Sequence, residues 1–166
     1  LAVLALAGPA FRQLPQELKR AESALIVALD LSDRMRATDI KPDRLSRARY
    51  KVADLLRQRQ EGQTALLAYA GDAFVVAPLT DDAQSLSDLL AALTPETLPV
   101  RGQRVDRAIA RARNLLRDAG FTHGDLLLVT DHVLPRDAQA AQKAAAEGLR
   151  VSVLGVGTEA GAPVSL

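Results

Sequence analysis

Two aspartates, Asp30 and Asp131, each stand at the end of a short apolar run. Residues 23–31 read Ser-Ala-Leu-Ile-Val-Ala-Leu-Asp-Leu and residues 125–131 read Asp-Leu-Leu-Leu-Val-Thr-Asp. This is the pattern of central parallel strands buried on both faces. Two such strands in one sheet aim their carboxylates at one edge, and Ser32 adds a hydroxyl two positions after Asp30. Carboxylates with a hydroxyl are the hard oxygen donors a divalent cation takes. Each aspartate also has a plainer use, capping the turn that follows its strand. Asp33, Asp39, Asp43 and Asp106 read as solvated loop or helix-start carboxylates, with Asp106 the best substitute ligand among them. His132 beside Asp131, with Ser32 across the edge, supplies residue types of nucleophilic catalysis. Adjacency in sequence does not orient a base, however, so His132 reads as a solvated loop histidine.

The elements that must position these groups follow from periodicity. Over residues 44–59, Leu45, Ala48, Val52, Leu55 and Leu56 recur at helical spacing, with Pro42 before them and Glu61-Gly62 as a stop. Residues 64–70 and 73–79 are apolar runs around Gly71-Asp72, an antiparallel hairpin with a two-residue connection whose second strand is an edge. Helices are predicted over residues 82–93, 104–119 and 137–147, and a last strand over 150–155 that runs into a terminal turn at Gly155-Val-Gly157. The order is strand–helix throughout except for the hairpin. It implies an α/β fold with a mostly parallel, doubly wound sheet, one antiparallel edge strand and helices on both faces. Such sheets bind ligands beyond the strand C-termini, where strand order reverses and where Asp30 and Asp131 would lie.

Composition narrows the function. With 166 residues and 48% hydrophobic content the chain makes one domain with a real core. Its 21 basic and 20 acidic residues leave a net charge of +1, no long-range field for nucleic acid or an anionic membrane. Absence of cysteine excludes disulfides and thiolate sites, and 3% aromatic residues with no Trp argue against base-stacking platforms. Six arginines crowd positions 101–117, and Arg104, Arg107 and Arg111 share a helix face, the best second surface to test. The opening Leu-Ala-Val-Leu-Ala-Leu-Ala is apolar but far short of the roughly 20 residues that span a bilayer. It reads either as a cut just after a membrane helix or as an ordinary buried segment.

The segments Asp30-Leu-Ser-Asp-Arg-Met35, Ala37-Thr-Asp-Ile-Lys-Pro-Asp-Arg-Leu45, Pro78-Leu-Thr-Asp81 and Leu128-Val-Thr-Asp131 resemble, in this order, von Willebrand factor type A (vWA) domains over nearly the whole chain. The Thr-Asp-Ile-Lys-Pro stretch and Gly157-Thr-Glu-Ala-Gly-Ala-Pro163 look like bacterial membrane-anchored vWA proteins of aerotolerance (Bat-type) operons, whose membrane helix ends in Leu-Ala-Gly-Pro, as Leu6-Ala-Gly-Pro9 does here. The resemblance implies a Rossmann-like vWA fold and a metal-ion-dependent adhesion site. Asp30, Ser32 and Asp131 match that site's ligands, while Arg34 stands at its second Ser and Gln103 at its Thr. Mg²⁺ or another divalent cation is therefore expected to bind weakly or not at all, because a guanidinium offers only donors. Arg34 turned inward would neutralise Asp30 and Asp131 in the metal's place.

The implied function is a protein–protein interaction module that is no enzyme, in which Arg34, Gln103, Asp33 and His132 face the partner. A structural scaffold using helix surfaces is the alternative, and an Asp30-dependent hydrolase or phosphatase the remote one. The resemblance further implies a parent anchored in a bacterial inner membrane, its soluble domain facing the periplasm, and a functional link to a MoxR-type ATPase. The expected organisation is residues 1–22 after the anchor, 23–157 as the vWA domain and 158–166 as tail or linker.

Overall fold

The structure, a computed structural model, describes residues 23–161. The apolar opening and the Leu6-Ala-Gly-Pro9 match lie outside the described residues. In chain order the described elements are β1 (Ala24–Asp30), a 3-10 turn (Asp33–Arg36), α1 (Arg44–Gln58), β2 (Gln63–Tyr69), β3 (Ala73–Thr80), α2 (Ala83–Ala92), a second 3-10 turn (Pro95–Thr97), α3 (Val105–Asp118), β4 (Gly124–Thr130), α4 (Pro135–Ala146) and β5 (Leu149–Gly155). No helix among the described residues is long and apolar enough to cross a membrane.

β1 carries no charge before its last residue, so both of its faces can be buried, and it takes the centre of a five-stranded sheet of order β3-β2-β1-β4-β5. β2 and β4 flank it in parallel, β5 continues parallel beside β4, and β3 is the antiparallel edge expected from the hairpin. Alternation along β1 divides the core. Ile26 and Ala28 pack with Ala108, Ile109, Ala112 and Leu116 of α3 and with Ala144 of α4. Val27 and Leu29 pack on the other face with Ala48, Val52 and Leu56 of α1 and with Leu86 and Leu90 of α2. The apolar stripe read over residues 44–59 is thus the buried stripe of α1, except that Leu55 stays exposed, as does Leu89 on α2.

Two details depart from the sequence reading. The hairpin connection has three residues, Ala70, Gly71 and Asp72, closed by the Ala70 N–H donating to the Asp72 carbonyl at 3.0 Å. A Cβ on Gly71 would lie 2.3 Å from the Arg101 carbonyl, so glycine lets the loop before α3 cross close over the hairpin. α4 begins at Pro135, two residues before the predicted Asp137. Proline fits the first helical position, and Asp137 then accepts the Leu134 N–H at 2.7 Å.

Strand order reverses at β1, since the chain leaves it for β2 on one side and returns to β4 on the other. Asp30 ends β1, and Asp131 follows the last residue of β4. The two carboxylates therefore share the switch-point crevice of a doubly wound sheet.

Core depth predicts the cost of truncation. Leu67→Ala, at a fully buried position of β2, should lower stability by about 2–5 kcal/mol, whereas Leu89→Ala on the surface of α2 should stay within about 0.5 kcal/mol, both read from urea unfolding.

Candidate functional site

Asp30 is buried at the end of β1 and is held by donors from three elements. The Ser32 N–H donates to Oδ1 at 2.8 Å, and the Thr130 hydroxyl and Gln103 Nε2 donate to Oδ2 at 2.7 and 2.6 Å. Burial nevertheless raises its pKa above the ordinary carboxylate value, against the lowering effect of those hydrogen bonds. Tyr69, its register partner on β2, is a buried phenol whose ionisation is pushed far up by desolvation and then by the Asp30 charge.

Asp131 is compensated more heavily. Its Oδ1 accepts from Gln103 Nε2 at 3.0 Å, while Oδ2 accepts from both Arg34 Nε and Arg44 Nη1 at 2.8 Å. Arg44 opens α1 and is itself buried, with 7% of its side chain exposed. Its Nε and Nη2 grip the two oxygens of Asp39 at 2.8 Å each, a bidentate pair. The Thr158 N–H and hydroxyl close the far side of Asp39 at 2.8 and 2.9 Å, tying the segment after β5 to the start of α1. Hydrogen bonding from Arg44, then from the Thr158 backbone, holds the Asp39 carboxyl far below its ordinary value. The expectation of a solvated Asp39 is corrected: only 4% of its side chain is exposed, because Arg44 needs a second carboxylate once it is out of water.

Gln103 sits where these groups converge. Its Nε2 has Asp30 Oδ2, Asp131 Oδ1 and Thr130 Oγ1 at 2.6, 3.0 and 3.1 Å. Carboxylates only accept, so the nitrogen must face them. One amide nitrogen thus stands among three oxygens, at hydrogen-bond rather than coordination distances. Mg²⁺ requires near-octahedral oxygens at about 2.0–2.1 Å. As arranged, with an amide nitrogen between the carboxylates and two guanidinium groups on Asp131, these residues do not fit it. Among the described residues no group of three or more His, Cys, Asp or Glu is placed to hold a metal. Among the described residues, Ser32 Oγ and the Tyr69 hydroxyl are buried here without a hydrogen-bond partner.

The structure brings Asp30, Ser32, Arg34, Gln103 and Asp131 together. Arg34 uses only its Nε there, and 55% of its side chain is exposed. Asp33 takes Arg101 at 2.9 Å, and His132 is exposed. Asp43 caps α1 through the Ser46 N–H at 2.7 Å, as a helix-start carboxylate should. Asp106 is no substitute ligand: Arg104 holds both of its oxygens, at 2.8 and 2.7 Å. Sequence reasoning missed Thr130 and Arg44. The signal for Arg44 was a cation in the first turn of a helix, which the helix dipole disfavours and a buried acidic partner must offset.

Comparison places this architecture among known proteins. The profile of the von Willebrand factor type A domain family matches residues 25–133. BatB from Bacteroides thetaiotaomicron is 32% identical, with a TM-score of 0.78 over 87% of this chain and 71% of that one. An aerotolerance-related membrane protein from Bacteroides fragilis is 30% identical, with a TM-score of 0.78 over 87% and 72% of the two chains. A protein of Mycolicibacterium paratuberculosis is 26% identical over 97% of this chain and 52% of its own length. The chain spans about half the length of the curated relatives it matches.

The Asp39–Arg44 pair sets an acid-side prediction. Because the folded pKa of Asp39 is depressed, the pair's contribution is complete above the unfolded carboxylate value of about 3.9 and is lost as pH falls below it. Asp39→Asn should therefore lower the urea midpoint most at neutral pH, and the gap to wild type should close as the pH is taken below about 4. A gap that stays constant through that range would show that the pair does not titrate as the geometry requires.

Proposed function

We propose that this chain, which belongs to the von Willebrand factor type A domain family and within it is of the Bat type, is a protein-docking module whose adhesion site works through a guanidinium instead of a metal ion. The single observation that carries this is Arg34. Its Nε is anchored on buried Asp131 while more than half of the side chain remains exposed at the crevice mouth. A guanidinium fixed at one nitrogen and open on its other edge is a ready receptor for a carboxylate. Gln103 supports the same reading by donating to Asp30 and Asp131 together, so that both carboxylates are hydrogen-bonded without an ion.

In this reading Arg34 receives an acidic side chain of the partner, with Gln103 behind it and Asp33 and His132 on the rim. Divalent cations bind weakly, and no group in the crevice acts on a substrate. Residues 23–157 are the docking module, 1–22 follow a membrane helix of the parent and 158–166 lead onward. Anchoring is supported by the likeness to the Bacteroides fragilis membrane protein. The periplasm is the proposed side, and a MoxR-type ATPase the proposed associate.

Isothermal titration with Mg²⁺, Mn²⁺ and Ca²⁺ tests the metal half. Wild type should bind more weakly than about 10⁻³ M, and Arg34→Ser with Gln103→Thr should gain at least about tenfold, or 1.4 kcal/mol. Micromolar binding by wild type that disappears in Asp30→Ala would overturn it. For the docking half, a photocrosslinking residue in place of Val133 in the full-length parent should trap a protein partner in cells, with EDTA without effect on the adduct and Arg34→Ala removing it. An adduct that survives Arg34→Ala would leave the guanidinium without its proposed role.

A further inference from the structure

The arginine cluster of positions 101–117 resolves into two kinds. Arg101 bonds Asp33, Arg104 bonds Asp106, Arg113 bonds Glu147 and Arg117 bonds Asn114. Among the described residues Arg107 and Arg111 have no ion pair and no hydrogen-bonded side-chain partner, and both are exposed one turn apart on α3. Beside them a groove of about 390 Å³ runs between α3 and the edge strand β3, lined by Val75, Pro78, Leu79, Arg111 and Leu115 with Asp118 at one end. Val75 is 37% exposed, one of the few large apolar side chains left open to solvent. Apolar floor and uncompensated charge thus meet on one surface, on the opposite sheet face from α1 and α2.

We infer that the groove between β3 and α3 is a second docking site, made for an acidic protein segment that seats an apolar side chain on Val75, Leu79 and Leu115 and sets carboxylates on Arg107 and Arg111. The occupant's charge follows from the two guanidinium groups, which have no carboxylate partner among the described residues. Its apolar anchor follows from the floor, which a bare phosphate or a nucleic-acid backbone leaves uncovered. Pro78 shapes how the segment lies, because a strand edge interrupted by proline is a poor template for another strand. Recognition is therefore by side chains in a groove. The site is separate from the crevice at Arg34, and neither depends on the other.

The test uses the ¹⁵N-labelled chain and a synthetic helical peptide with two glutamates one turn apart flanking a leucine. Amide shifts should centre on Val75, Leu79, Arg111 and Leu115 and leave Arg34 and His132 unmoved. Binding should weaken at least tenfold in Arg107→Glu with Arg111→Glu, and should return when the peptide's glutamates become lysines. Replacing the leucine by serine should also weaken it. The inference is overturned if the glutamine version of the peptide binds equally well, or if shifts centre on the Arg34 crevice. It is equally overturned if inorganic phosphate or phosphatidylglycerol vesicles occupy the groove as well as the peptide does, or if sedimentation shows that a second copy of the chain fills it.

Discussion

Two carboxylates withdrawn from water at neighbouring strand ends impose the condition around which the rest of the molecule is arranged. A buried carboxylate is costly unless it is neutralised and hydrogen-bonded. The supply of donors comes from every element that reaches the edge: the loop after β1 gives the Ser32 N–H and Arg34, the start of α1 gives Arg44, the loop before α3 gives Gln103, and β4 gives Thr130. Those contacts span 100 residues of sequence between Asp30 and Thr130. They fix the loops that sheet pairing alone would leave free. Satisfying the two aspartates and building the surface are the same event.

That condition follows from topology. Parallel order around β1 sends the chain away on both sides, so both strand C-termini point into the same open crevice. Arg44 carries the constraint one step outward. Neutralising Asp131 from a helix start takes a guanidinium out of water, which then requires Asp39, which in turn is capped by Thr158. A surface feature at the crevice is thereby wired to the far end of β5. A chain of alternating charges of this kind is stable only as a set, because removing one member leaves its neighbour buried and unpaired.

The strands and helices were legible because burial on two faces and burial on one stripe leave different periods, and β1 and α3 show each clearly. The meeting of Asp30 and Asp131 was legible for the same reason, as a consequence of strand pattern and parallel order. Arg44 was not. In a helix whose stripe is read from Leu45, Ala48 and Val52, a charged first residue adds nothing to the period, and its direction is set by a partner 87 positions away. Asp39 was misread with it, since a carboxylate in a loop looks solvated until its cation is known. The start of α4 shows the reverse case, a local rule sufficient by itself: proline at the first position and Asp137 at the third mark the start that periodicity among alanines blurs.

On the proposed reading, a fixed guanidinium in place of an ion changes what kind of receptor the edge is. A metal ion completes its shell with whatever oxygen arrives, and its occupancy follows its concentration. Arg34 is covalently present, held at one nitrogen by Asp131, and presents a planar fork with directional N–H groups. Its reach for a carboxylate is screened by salt within about 8–10 Å and is worth little where fully solvated. Selectivity must then come from what surrounds the fork. With a net charge of +1 the molecule has no global field to gather the acidic partners proposed for it, so local geometry must choose among them.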